Sequence, residues 1–200
     1  ILAANYEARA QGVKTAMAVH EALRLCPGIA LVPPDHRFYG QKSDAVMDLL
    51  SHYTPILEQN SIDEAWLDVT KSASLYGDGQ QIADQIRARV KFEMGITASV
   101  GVSYNKIFAK LGSDMKKPDA TTVITRDNYK DTVWPLPAED LLYVGRATQR
   151  KLFRYGIKTI GDIANASPRL LRSMLGKWGE VLWSFANGQD ASPVTRLGEE

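Results

Sequence analysis

Residues 97–119 read TASVGVSYNKIFAKLGSDMKKPD, and the reading of the fold turns on them. Through 96–102, Ile96, Ala98, Val100 and Val102 alternate with Thr97, Ser99 and Gly101. That two-residue period predicts a strand. A helix follows over about 105–115, and a short strand near 122–124 completes a strand–helix–strand unit. Upstream, Ile82, Ile86 and Val90 recur at helical spacing over 81–92, and Gly95 stops that helix. A strand is expected over 62–69, a helix over 39–53, and short helices over 5–34 with Asn5 as an N-cap. The order is helix, strand, helix, strand, helix, strand. This is an α+β layer of mainly antiparallel strands with helices on one face. Such a sheet has few strands, so one or more further strands are expected ahead of Ile1. After Pro135 and Pro137 only helix signals remain, which predicts a small all-helical domain over 138–188.

Composition narrows the class. The 200 residues are 44% hydrophobic and 24% charged, with a net charge of +1, as in a globular chain able to build a core. No apolar run is long enough for a membrane span. The single cysteine, Cys26, cannot form an internal disulfide and suits a reducing cytoplasm; it reads as a small buried apolar residue. The three histidines lack metal-ligand spacing, and the four tryptophans read as packing residues. Charge is unevenly distributed. Residues 141–160 hold Arg146, Arg150, Lys151, Arg154 and Lys158 and no acid, while Lys106, Lys110, Lys116 and Lys117 form a second group. Local basic patches on a near-neutral chain fit a polyanion channel, though solvated helix faces would look the same.

Four constellations could carry chemistry. In SIDEAWLDVT (61–70), Asp63 and Glu64 precede a strand, and a turn at Asn60-Ser61 would aim both at one Mg²⁺; an exposed acidic turn is the plain alternative. In NYEAR (5–9), Tyr6 and Arg9 share a helix face, where an Arg fork and a hydroxyl could grip phosphate, or an arginine stem could rest on a ring. Lys106 and Lys110 share a face and Lys117 lies just past the helix end; they could meet phosphate or simply complement the helix dipole. In YVGRATQRKLFRYGIKTIGDIA (143–164), a turn at Val144-Gly145-Arg146 leads into a helix whose N-terminal amides could hold a DNA phosphate, as in a helix-hairpin-helix; a plain helical hairpin is the alternative.

Together NYEAR with GVKTAM (12–17), SIDEAWLDVT, residues 97–119 and 144–164 resemble, in order and spacing, the Y-family translesion DNA polymerases, in particular their bacterial polymerase IV branch. The resemblance implies a right-hand polymerase with small helical fingers (1–34), an antiparallel-sheet palm lacking its first strand (35–124), an all-helical thumb containing a helix-hairpin-helix (125–190) and the start of a linker (191–200). It implies template-directed addition of dNTPs to a primer 3′-hydroxyl. Asp63 and Glu64 would bind two catalytic Mg²⁺ ions, Tyr6, Arg9 and Lys117 would contact the incoming triphosphate, and Val144, Gly145 and Arg146 would hold primer-template DNA. The family's first metal-binding aspartate and its ribose-excluding aromatic are expected ahead of Ile1. Its C-terminal DNA-clasping domain and sliding-clamp peptide are expected beyond Glu200. Residues 1–200 alone should therefore not make a competent polymerase. Ala3-Ala4 stand where family members often carry a hydroxyl. A non-catalytic DNA-binding module and a nucleotide cyclase are the rival readings.

Overall fold

The computed structural model describes residues 1–196, in two compact units, Ile1–Lys42 and Ser43–Glu200. The expected linker over 191–200 lies outside the described residues from 197 onward.

In the first unit, Asn5 caps α1 (Tyr6–Ala10): its Oδ1 accepts the Ala8 amide at 3.0 Å. Gly12 adopts φ +92°, where a side chain would be strained, and so turns the chain out of α1. The returning chain buries Val13 against Ala8 and against Ala22 of α2 (Val19–Leu25). Cys26 packs on this small core half-buried, rather than buried as its composition class suggests.

Helix α3 (His36–Ser51) runs across the division between the units. Its Leu49 and Leu50, with Tyr53 just beyond, pack on Ile82, Ile86 and Val90 of α5 (Gly79–Met94) and on Leu57 of β1 (Leu57–Gln59). Asp78 and Gln81 form a reciprocal capping box at the start of α5, and Gly95 ends it in the left-handed conformation. The short α4 (Ala73–Tyr76) precedes it. Strand β1 pairs antiparallel with β2 (Ala65–Leu67), Leu57 opposite Leu67. The expected strand over 62–69 is thus shorter, and its first residues form the hairpin turn.

Strand β3 (Val100–Val102) and β4 (Thr121–Val123) flank α6 (Lys106–Met115), and they pair in parallel. The expectation of mainly antiparallel strands holds for β1 with β2, and this pair departs from it. A helix laid back over the sheet between two strands returns the chain in its original direction. Asn105 caps α6 through the Phe108 amide at 2.8 Å.

Beyond α7 (Tyr129–Thr132), helices α8 (Arg146–Arg154), α9 (Ile160–Asn165), α10 (Pro168–Leu175) and α11 (Lys177–Ala186) form the predicted helical region. Leu152, Ile160, Ile163, Leu171 and Leu182 share one core with Ile107, Phe108 and Leu111 of α6, so the helical region and the strand layer are packed as one body. Trp134 joins that core and donates Nε1–H to Ala186 O, whereas Trp178 remains 54% exposed and packs at the surface. Among the described residues no helix is long and apolar enough to cross a membrane.

The turn between α8 and α9 is held by Asp162, which accepts the Lys158 and Thr159 amides at 2.8 and 2.9 Å while Thr159 Oγ1 accepts the Asp162 amide. Those backbone donors hold the Asp162 carboxyl below its ordinary pKa. Asp162→Ala is expected to cost about 1 kcal/mol in chemical denaturation at pH 7. A depressed acid stabilises above its unfolded pKa, so the wild-type advantage should vanish as pH falls below about 4.

Candidate functional site

The turn at residues 60–64 is built to present its acids. Both the Asn60 and Ser61 amides donate to Glu64 O, at 2.9 and 3.3 Å, closing the β1–β2 hairpin. Buried Ser43 donates its hydroxyl to Ile62 O, and Gln59 Nε2 donates to Ser61 O at 3.0 Å, so the turn is pinned from α3 and from β1. Asp63 then stands exposed, accepting the Ser61 hydroxyl at 2.8 Å. Glu64 is half-buried, accepting Asn60 Nδ2 at 3.0 Å and facing Lys110 Nζ at 3.1 Å. Alternation alone would send the two side chains apart; the turn lets both face one space.

That space is a cavity of about 430 Å³. Residues of β2 and β3, Ile82 and Ile86 of α5, and Asp63, Glu64 and Lys110 all line it. Among the described residues β2 pairs only with β1 and β3 only with β4, so each keeps an unpaired edge, and neither β1 nor β4 lines the cavity.

Lys106 and Lys110 lie one turn apart on α6, as predicted, but do different things. Lys106 sits over the Trp66 ring at 4.4 Å and pairs with Glu58 at 2.5 Å, and Glu58 in turn accepts the Thr195 amide at 2.8 Å. With the Lys106 ammonium also donating to Pro193 O at 3.4 Å, these contacts fasten residues 193–195 to the hairpin. Lys110 bridges Glu64 and Asp114, and Asp114 also pairs with Lys117 at 2.8 Å. Burial opposes charge on Lys110, but the Asp114 and Glu64 carboxylates outweigh it and hold its pKa above the ordinary lysine value. Burial likewise opposes charge on Asp114, and Lys110 and Lys117 hold it below the ordinary range. Sequence reading missed Asp114, although its four-residue spacing from Lys110 was a usable signal.

Tyr6 and Arg9 belong to the first unit. Both are exposed on α1, and Arg9 Nε–H donates to Ala4 O at 2.9 Å, so the alanine pair orients the guanidinium through its backbone. Val144 is buried and anchors the start of α8; Gly145 is its N-cap, with no capping side chain, and Arg146 is exposed. Gly145 has extended backbone that any residue could adopt, and open space on its Cα face. What the glycine supplies is an uncovered N-terminal turn rather than an unusual conformation. Beside it Tyr143, at φ +71°, stacks on Trp178 with ring centroids 5.5 Å apart.

Asp63 and Glu64 offer hard oxygen donors suited to a divalent cation. Among the described residues no group of three or more acids, histidines or cysteines is placed to hold a metal.

Comparison with known proteins gives this arrangement its class. Residues 1–114 match the model of the impB/mucB/samB family, and residues 139–190 match that of the DNA polymerase-iota thumb domain. The chain belongs to the impB/mucB/samB family. It is similar to DNA polymerase IV of Acetivibrio thermocellus, 52% identical over 98% of this chain and 49% of that protein, and to DNA polymerase IV of Clostridium kluyveri, 50% identical over 98% and 49%. The chain thus spans about half the length of these curated relatives. Among solved structures, DinB from Sulfolobus solfataricus matches with a TM-score of 0.87 at 32% identity, over 96% of this chain and 57% of that one. A Y-family DNA polymerase chimera matches at 0.88 and 32%, over 98% and 58%. The fold is that of the Y-family polymerases, with a helix-hairpin-helix in its helical region.

Proposed function

We propose that the protein carrying this chain is a template-directed DNA polymerase of the translesion type, extending a primer 3′-hydroxyl with dNTPs. One observation carries the reading: an acidic pair on a pinned hairpin turn lines a cavity together with Lys110 of α6, which pairs with Glu64, in a chain whose relatives are polymerases. In this reading residues 1–34 are fingers, 35–124 palm, 125–190 thumb and 191–200 the start of a linker. The cavity between β2 and β3 would take a further strand of the same protein, hydrogen-bonded to both edges, and that strand would bring the third carboxylate to Asp63 and Glu64.

Two Mg²⁺ ions, when bound, would supply activation of the primer hydroxyl and charge stabilisation at the leaving pyrophosphate. Asp63, the more exposed acid, would serve both ions, and Glu64 the one nearer the primer. Lys117, Arg9 and Tyr6 would hold the triphosphate, with the lysine as a point charge and the arginine as a fork. Val144 would set the thumb turn, and Gly145 and Arg146 would hold backbone phosphate through amides and charge without reading bases. Such a site belongs in the cytoplasm with the DNA, and a clamp contact would come from sequence beyond Glu200.

The test is primer extension by the intact protein on undamaged and lesion-bearing templates. Mg²⁺-dependent extension is expected. DNA binding without extension at any divalent metal concentration would overturn the reading in favour of a non-catalytic DNA-binding module.

A further inference from the structure

Four side chains form an unbroken line of alternating charge. Glu64 Oε1 lies 3.1 Å from Lys110 Nζ, Lys110 Nζ lies 2.5 Å from Asp114 Oδ2, and Asp114 Oδ1 lies 2.8 Å from Lys117 Nζ. Each Asp114 oxygen therefore takes a different lysine. Lys110 is the most enclosed of the four, its side chain 18% exposed, whereas Lys117 is 50% exposed. Helix α6 ends at Met115 and Lys116 is already extended, so the helix no longer fixes the backbone at Lys117. The ion pair to Asp114 is what ties that ammonium back to the helix.

We propose that Asp114 is a positioning residue that sets both ends of this line; the inference rests on the polymerase reading above. Through Oδ1 it holds the Lys117 ammonium where the triphosphate is to be met. Through Oδ2 it shares Lys110 with Glu64, so that Glu64 is not left as the only anion on a half-buried ammonium. Without the Asp114 charge, Lys117 ranges freely on a flexible stem, and Lys110 falls wholly to Glu64 and competes there with a divalent cation. Asp114 itself touches neither reacting atom. The nucleotide and metal halves of the site are thereby coupled through a single carboxylate.

The test uses the intact protein bound to a primer-template with a dideoxy-terminated primer, so that dNTP binding is read without chemistry. Asp114→Asn is expected to weaken dNTP affinity about tenfold and to raise the Mg²⁺ concentration needed for half-maximal dNTP binding. Acylation of Lys117 by an amine-reactive ester, followed by mass spectrometry, should rise severalfold while other exposed lysines are unchanged. In a double-mutant cycle with Lys117→Ala, the affinity losses should be strongly non-additive, as for residues acting through one contact. Asp114→Glu, which keeps the charge, should recover most of the affinity. If Asp114→Asn does not fold, the same cycle is run with Asp114→Glu, whose smaller loss should shrink in the Lys117→Ala background. Unchanged affinity and labelling, or additive losses, would overturn the proposal. Its failure is separable from failure of the polymerase reading, because the wild-type protein extends a primer in the first case and does not in the second.

Discussion

Gly101→Ala should unfold or severely destabilise the strand-and-helix unit, by about 3–5 kcal/mol in equilibrium denaturation, where most single substitutions cost less than half of that. A methyl built on Gly101 would lie 1.8 Å from Ala109 O and 2.6 Å from Ser113 N, both backbone atoms of α6. No flexible side chain is there to move aside, so α6 itself must lift from β3. From the helix side, a methyl on Gly112 would come within 3.2 Å of Gly101 Cα, so the two glycines meet where strand and helix come closest. Lifting α6 would loosen Ile107, Phe108 and Leu111, all within 4% of full burial, and with them the core shared with helices α8–α11. It would also displace Lys110 and Asp114. Gly40→Ala is the control: it lies within α3 with open space around it, so alanine should be neutral or stabilise by about 0.5–1 kcal/mol.

Asp63→Ala and Glu64→Ala in the intact protein are each expected to lower primer extension by at least about 10³-fold, roughly 4 kcal/mol in the barrier, with DNA affinity nearly unchanged. The turn that carries these acids is held mainly by backbone and by Ser43 and Gln59, so neither truncation removes the hairpin closure. The two should differ in detail. Asp63→Ala loses one local bond, from Ser61, while Glu64→Ala also leaves half-buried Lys110 with Asp114 as its remaining carboxylate. Extension retained by either variant would remove that residue from the metal site.

The helices were legible because their signals are local. Asn5 and the 82–86–90 stripe behave as their spacing predicts, and so does the helix over 105–115. The strands were only partly legible. At three residues each they are too short for alternation to fix their ends, and β1, with Glu58 and Gln59 among its residues, carries no apolar run at all. Parallel pairing of β3 with β4 depends on where α6 packs, a tertiary fact that hydrophobic pattern alone does not encode. The acidic pair was visible as a motif, but its neighbours were not. Lys110 reaches Glu64 from 46 positions away, and Lys106, read as a phosphate candidate, is held by Trp66 and Glu58.

The central claim is that Asp63 and Glu64 hold the catalytic metal. Its most direct measurement replaces Mg²⁺ by Fe²⁺ in the intact protein with primer-template DNA and maps the peptide bonds cut by locally generated hydroxyl radicals. Cuts should cluster at residues 60–66 and disappear in the Asp63→Asn/Glu64→Gln double variant, with excess Mg²⁺ suppressing them in the wild type. Cuts concentrated elsewhere in the chain, or a pattern untouched by the double variant, would contradict the account.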